Sequence, residues 1–188
     1  MSKNVVAVKQ TCAIICKELE GFSEEDRLRI IEKIKDNLRP EDGGLQNLKA
    51  RHTGYGRFYE DEDIQEILEK VVASFKGVLT PPEEDWAIVD VWGSIYRPKD
   101  YTVSHRHLPS FISFVLYLQA DDHSSPLVFD ECELRIAPKN WTLVVFPSWL
   151  MHSVPPQSED GCERIMLSGN LLPKNGLVEE PEYVTNAA

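Results

Sequence analysis

Hydrophobic positions in the first third of the chain recur at steps of three and four. Val5, Val8, Cys12, Ile15 and Leu19 fall on one face of a predicted helix, which Gly21 breaks. Ser23 is a good N-cap for a second helix, with Glu24, Glu25 and Asp26 in the turn where the helix dipole favours negative charge. Leu28, Ile31, Ile34 and Leu38 form its expected apolar stripe, and Pro40 stops it. Residues 41–60, rich in glycine and without periodicity, read as a long loop. A third helix carries Ile64, Ile67, Leu68, Val71, Val72 and Phe75 on one side and closes at Gly77.

From Thr80-Pro81-Pro82 the character changes. The helical period gives way to short apolar runs: Trp86–Tyr96, Phe111–Leu118, Leu127–Phe129, Glu133–Ile136, Thr142–Phe146 and Arg164–Leu171. Prolines and glycines punctuate them as in a β-sandwich or barrel. Helices followed by closely spaced strands predict an α+β fold in which helices buttress a sheet. The expected organisation is a single domain over residues 1–188, with a helical part at 1–80, a β core at 86–172 and a frayed acidic tail at 179–188.

Composition narrows the function. The chain has 188 residues, enough for one domain with a sizeable core, and 42% hydrophobic residues argue against a disordered one. No apolar run approaches the ~18 residues of a membrane-spanning helix, and the N-terminus lacks the pattern of a secretory signal. A net charge of −11 argues against a broad nucleic-acid-binding face. Cys12, Cys16, Cys132 and Cys162 are too scattered for a disulfide framework, so reduced thiols in a cytoplasmic protein are expected.

Candidate chemistry centres on histidine. In Ser104-His105-Arg106-His107, an extended backbone would turn His105 and His107 to the same side. His152, after Phe146-Pro147-Ser148-Trp149, supplies a third imidazole if an early and a late strand are neighbours. Together they make a candidate three-ligand metal site with open positions; an incidental His-x-His is the alternative. Arg164 enters an apolar strand, and a buried arginine requires an anionic partner. That partner is either a carboxylate ligand held bidentately or an acidic side chain. His52, in the glycine-rich loop, and His123, in a polar turn, read as structural. The 41–60 loop could serve as a lid.

The stretch from Trp92 to Asn170 resembles the iron(II)- and 2-oxoglutarate-dependent oxygenase superfamily, and within it the small bacterial and phage branch. The resemblance rests on Ser104-His105-Arg106-His107 followed by Ser113–Leu118, on Leu127-Val128-Phe129, on Leu143–Val154 (LVVFPSWLMHSV), and on Glu163-Arg164-Ile165 with the run ending at Asn170. It implies a double-stranded β-helix (jelly-roll) barrel with the N-terminal helices packed outside. It further implies Fe(II) and 2-oxoglutarate as cofactors, with His105 and His152 as ligands and Arg164 on the distal carboxylate of the co-substrate. Tyr117 is a second candidate for that carboxylate, with a core role as its alternative. Trp92 and Asn170 are assigned to packing.

Two departures stand out. The superfamily usually has His-x-Asp or His-x-Glu, whereas the third position here is His107. Either the site uses three histidines, leaving the metal one charge more positive, or a carboxylate such as Asp100 or Asp130 replaces His107; each of those also reads as a turn residue. Where relatives often carry a hydroxyl two positions after the arginine, this chain has Met166. The implied activity is oxidative: 2-oxoglutarate is decarboxylated to succinate and a substrate C–H is hydroxylated with O2. The substrate is a protein side chain or a small metabolite. Two alternatives stay open: a three-histidine cupin-type dioxygenase that does not use 2-oxoglutarate, and a non-catalytic jelly-roll binding module. The sequence leaves the oligomeric state unread.

Overall fold

The computed structural model describes residues 12–40 and 47–176. The chain runs β1 (Ile15–Glu18), α1 (Glu24–Asp36), β2 (Leu48–Lys49), β3 (Arg51–His52) and α2 (Glu62–Phe75). It then enters β4 (Trp86–Tyr96), β5 (Tyr101–His105), β6 (Ile112–Gln119), β7 (Leu127–Phe129), β8 (Leu134–Ile136), β9 (Thr142–Pro147), β10 (His152–Val154) and β11 (Arg164–Pro173). These strands form a six-stranded sheet ordered β1-β9-β6-β11-β4-β3 and a five-stranded sheet ordered β2-β5-β10-β7-β8. Every pairing within the sheets is antiparallel.

Both described helices start where their caps dictate. The Ser23 hydroxyl accepts the Asp26 N–H at 3.1 Å while the Asp26 carboxylate accepts the Ser23 N–H at 2.7 Å, a reciprocal capping box. Asp61 caps α2 through the Ile64 N–H at 3.3 Å. Arg29 and Lys33 of α1 reach Asp63 and Asp61 at the start of α2, which fixes the helices side by side. The buried face of α1 is Arg27, Ile30, Ile31 and Ile34. Leu28, placed on the apolar stripe by its spacing, is 49% exposed, so the stripe is rotated by about one position.

The two faces of the large sheet do different work. Its outer face packs Ile95, Leu116, Ile165 and Leu167 against the isoleucines of α1 and against Ile64, Ile67 and Phe75 of α2. Gly93 permits a close approach: a Cβ there would lie 2.5–2.9 Å from three Ile34 side-chain atoms. Its inner face meets the small sheet, with Val144, Phe146 and Met166 packed against Leu127, Phe129 and Val154. Because side chains alternate along a strand, Ile165 and Leu167 of β11 face the helices while Arg164, Met166 and Ser168 face inward.

Three expectations are corrected. Ile15–Glu18 is a strand paired with Thr142–Val145, not the end of a helix; Val5 and Val8 lie outside the described residues. The open edge of β9 offers that segment backbone hydrogen bonds, and such tertiary pairing overrides a short periodic pattern. The 41–60 segment is not all loop, since β2 and β3 add an edge strand to each sheet; residues 41–46 lie outside the described residues, as does the tail at 179–188. Finally, β5 ends at His105, so His107 sits in the following turn rather than in the strand.

Candidate metal centre

The antiparallel pairing of β5 with β10 sets His105 directly opposite His152. His107 is carried back toward the pair by its turn: its N–H donates to the Ser148 carbonyl at 2.9 Å, and its own carbonyl accepts the Ser110 N–H at 2.9 Å. The ring centroids of His105 and His152 lie 4.4 Å apart, those of His105 and His107 4.8 Å, and those of His107 and His152 5.1 Å. One nitrogen from each ring falls within 4.8 Å of the others. No carboxylate among the described residues joins this group.

Tautomers follow from the hydrogen bonds. Nδ1 of His105 lies 2.9 Å from the Val103 carbonyl, and Nδ1 of His152 lies 2.9 Å from the Leu150 carbonyl. A carbonyl can only accept, so both Nδ1 atoms carry the proton and both Nε2 atoms keep a free lone pair. Phe146 and Phe129 back the His152 ring at centroid distances of 4.8 and 6.2 Å. Burial, followed by the positive charge the neighbouring rings would carry, pushes His107 down to about 3 and His152 to about 4; burial also lowers His105. All three imidazoles are therefore neutral near pH 7, the form that ligates a metal.

The carboxylates considered as substitutes for His107 are engaged elsewhere. Asp100 closes the β4–β5 turn by accepting the Arg97 N–H at 2.8 Å. Asp130 accepts the hydroxyls of Ser104 and, at 2.9 Å, Ser153. Three neutral nitrogen donors on a half-open site suit a divalent transition metal such as iron, nickel, copper or zinc.

Arg164 shares a cavity with the three histidines. Its side chain is fully buried and packs between two rings, with the guanidinium carbon 4.7 Å from the Tyr96 centroid and 5.0 Å from that of Tyr117. Nη2 donates to the Tyr117 hydroxyl at 3.3 Å, whereas Nε and Nη1 have no partner among the described residues. No acidic side chain among the described residues forms an ion pair with it. A buried cation left with two orphan donors is costly unless an anion arrives. Tyr117 is fully buried in the core and touches this arginine.

Part of the cavity wall is not evident from the sequence. Trp92, assigned to packing, lies 5.8 Å from His107 and meets Tyr55 edge-on at 5.0 Å. Tyr55 comes from the segment considered as a lid, and it does line the cavity, as do Asn47 and Leu48. The inward alternation Trp92-x-Ser94-x-Tyr96 is the available signal, and it becomes readable only through the pairing of β4 with β11. Asn170 makes a polar contact to Ser113 at 2.8 Å rather than merely packing. His52 is buried in β3, where its Nδ1 accepts the Gly54 N–H at 3.1 Å, and His123 stays in its polar turn outside the cluster.

No protein-family model matches the chain, and no curated protein matches it either. Solved structures do. Viral collagen prolyl hydroxylase from Paramecium Bursaria Chlorella virus-1, a 2-oxoglutarate complex, superposes with a TM-score of 0.64 at 17% identity, covering 83% of this chain and 94% of that one. An oxidoreductase of the 2OG-Fe(II) oxygenase family from Burkholderia pseudomallei gives 0.59 at 14% identity, covering 84% and 83%. HygX from Streptomyces hygroscopicus, with nickel and 2-oxoglutarate bound, gives 0.63 at 9% identity, covering 87% and 84%. The chain thus has the fold of the 2OG-Fe(II) oxygenases. Among the described residues no helix is long and apolar enough to cross a membrane.

Proposed function

We propose that the protein is an Fe(II)- and 2-oxoglutarate-dependent oxygenase that hydroxylates a protein side chain or small metabolite, with its two sheets forming a double-stranded β-helix in one domain. The observation that carries this reading is Arg164, a buried guanidinium without an acidic partner among the described residues, in the same cavity as three converging neutral imidazoles. Both halves of a 2-oxoglutarate complex find a complementary group there: a divalent metal among the histidines and a carboxylate at the arginine.

In this reading His105, His107 and His152 hold the metal. The Val103 and Leu150 carbonyls orient two of the rings. Arg164, packed against the rings of Tyr96 and Tyr117, binds the distal carboxylate of the co-substrate, and the Tyr117 hydroxyl completes that contact. Trp92 and Tyr55 wall the cavity beside His107 and limit water. Fe(II) with 2-oxoglutarate bound there would supply oxidative decarboxylation to succinate and CO2 coupled to hydroxylation by O2. Incubation with Fe(II), O2 and 2-oxoglutarate should release succinate slowly even without substrate, and His152→Ala should abolish that release. Absence of succinate from the metal-loaded protein counts against the reading.

The imidazole at position 107 favours one second reading, a three-histidine dioxygenase in which Arg164 holds the carboxylate of the substrate itself. Indifference of the iron site to 2-oxoglutarate would select it.

A further inference from the structure

The inner face of the β4–β11 pair is a ladder running from the arginine toward the histidines. Arg164 stands opposite Tyr96, Met166 opposite Ser94, and Ser168 opposite Trp92, whose ring meets His107. Successive inward rungs are separated by roughly 7 Å along the strands. Two rungs carry a serine hydroxyl. Ser94 and Ser168 are 1% and 3% exposed, both line the cavity, and neither Oγ has a hydrogen-bond partner among the described residues.

Other hydroxyls on this face have partners within the protein. Tyr96 bonds Thr102, Ser113 bonds Ser148 and Asn170, and Tyr117 accepts from Arg164. Among the described residues, the buried unpartnered donors of the cavity wall are Nε and Nη1 of Arg164 and these two serine hydroxyls. Buried hydroxyls are normally paired, so two orphan hydroxyls on successive rungs leading from an orphaned cation point to a missing ligand rich in acceptor oxygens.

We propose that Ser94 and Ser168 are co-substrate-binding residues. Ser94 donates to the distal carboxylate from the rung next to Arg164, and Ser168 donates to an oxygen nearer the histidines. The inference rests on the oxygenase reading and extends it to two residues on neighbouring strands. It also accounts for Met166: the rung that holds this methionine receives its hydroxyl from the opposite strand.

The test uses the full-length protein loaded anaerobically with Fe(II) and titrated with 2-oxoglutarate, reading the visible charge-transfer band. Ser94→Ala should weaken 2-oxoglutarate binding by about ten- to a hundredfold, the worth of a hydrogen bond to a charged group. It should leave the Fe(II) dissociation constant unchanged. Ser168→Ala should also weaken 2-oxoglutarate, and Ser94→Thr should restore part of the loss. Thermal unfolding of the metal-free variants separates binding from structure: removing an orphan oxygen should leave the midpoint unchanged or raise it, whereas a structural serine would lower it. Pyruvate, which lacks the distal carboxylate, should be indifferent to Ser94→Ala. Wild-type affinity for 2-oxoglutarate in both alanine variants overturns the proposal while leaving the oxygenase reading intact. A wild-type protein that gives no band overturns both.

Discussion

His105 and His152 face each other across the β5–β10 pairing, and each turns its Nδ1 onto the carbonyl two residues before it in the chain. The same local device is thus used twice on neighbouring strands, and it aims two Nε2 lone pairs into one space. Replacing either ring removes a donor that no other group among the described residues supplies. His105→Ala and His152→Ala should each weaken Fe(II) binding by more than the roughly 10–100-fold typical of losing an outer hydrogen-bond partner, as measured by anaerobic calorimetry. His107→Asp should retain the metal, because a carboxylate is an equally competent donor; loss of metal in that variant would contradict the assigned geometry.

Arg164 sets function against stability. In the metal-free protein its buried charge lacks an acidic partner among the described residues, so Arg164→Met should leave stability unchanged or raise it by about 1–4 kcal/mol. The same change should abolish 2-oxoglutarate binding and spare Fe(II) binding. Chemical denaturation together with a 2-oxoglutarate titration checks both halves; a strongly destabilised Arg164→Met would mean that the arginine is structural.

The histidine cluster, with His152 buried and His105 and His107 half-buried, makes the apo protein acid-sensitive. Burial lowers all three, with His107 near 3 and His152 near 4. Free histidines in the unfolded chain titrate near 6.5, so from there down to the folded values the unfolded chain binds more protons. Stability is therefore fully present above about pH 6.5 and falls as pH drops toward 4. Denaturant midpoints of metal-free protein across this range should show that slope, and His107→Ala should flatten it. A midpoint independent of pH would contradict the inferred neutral cluster.

Gly93 and Ile34 are a packing pair. Gly93→Ala places a methyl 2.5–2.9 Å from the Ile34 side chain and should cost about 1–3 kcal/mol. Ile34→Ala should recover part of that cost in the double variant. Thermal unfolding of the four proteins measures the coupling, and strict additivity would show that α1 does not rest on this glycine.

Much of this architecture is legible in the amino-acid sequence. The short apolar runs locate β4, β6, β7, β9 and β11 to within a residue or two. Ser23 marks the start of α1, and the apolar stripe from Ile64 to Phe75 marks α2. The His105, His107 and His152 group and Arg164 stand out as residue types at suggestive positions. What stays hidden depends on pairing between distant segments. Ile15–Glu18 becomes a strand because β9 has an open edge, which no local period can announce. Ser94 and Ser168 are ordinary serines until the β4–β11 register puts them on a cavity wall. Tyr55 gains meaning from its contact with Trp92, and the histidine tautomers from carbonyls whose direction only the folded backbone sets.

The most direct test of the account is an anaerobic titration of metal-free protein, first with Fe(II) and then with 2-oxoglutarate, followed in the visible range. The account predicts one equivalent of Fe(II) and a charge-transfer band that saturates at one equivalent of 2-oxoglutarate, absent in His152→Ala and in Arg164→Met. Fe(II) binding with no response to 2-oxoglutarate would contradict the co-substrate assignment of Arg164, and failure to bind Fe(II) would contradict the metal centre itself.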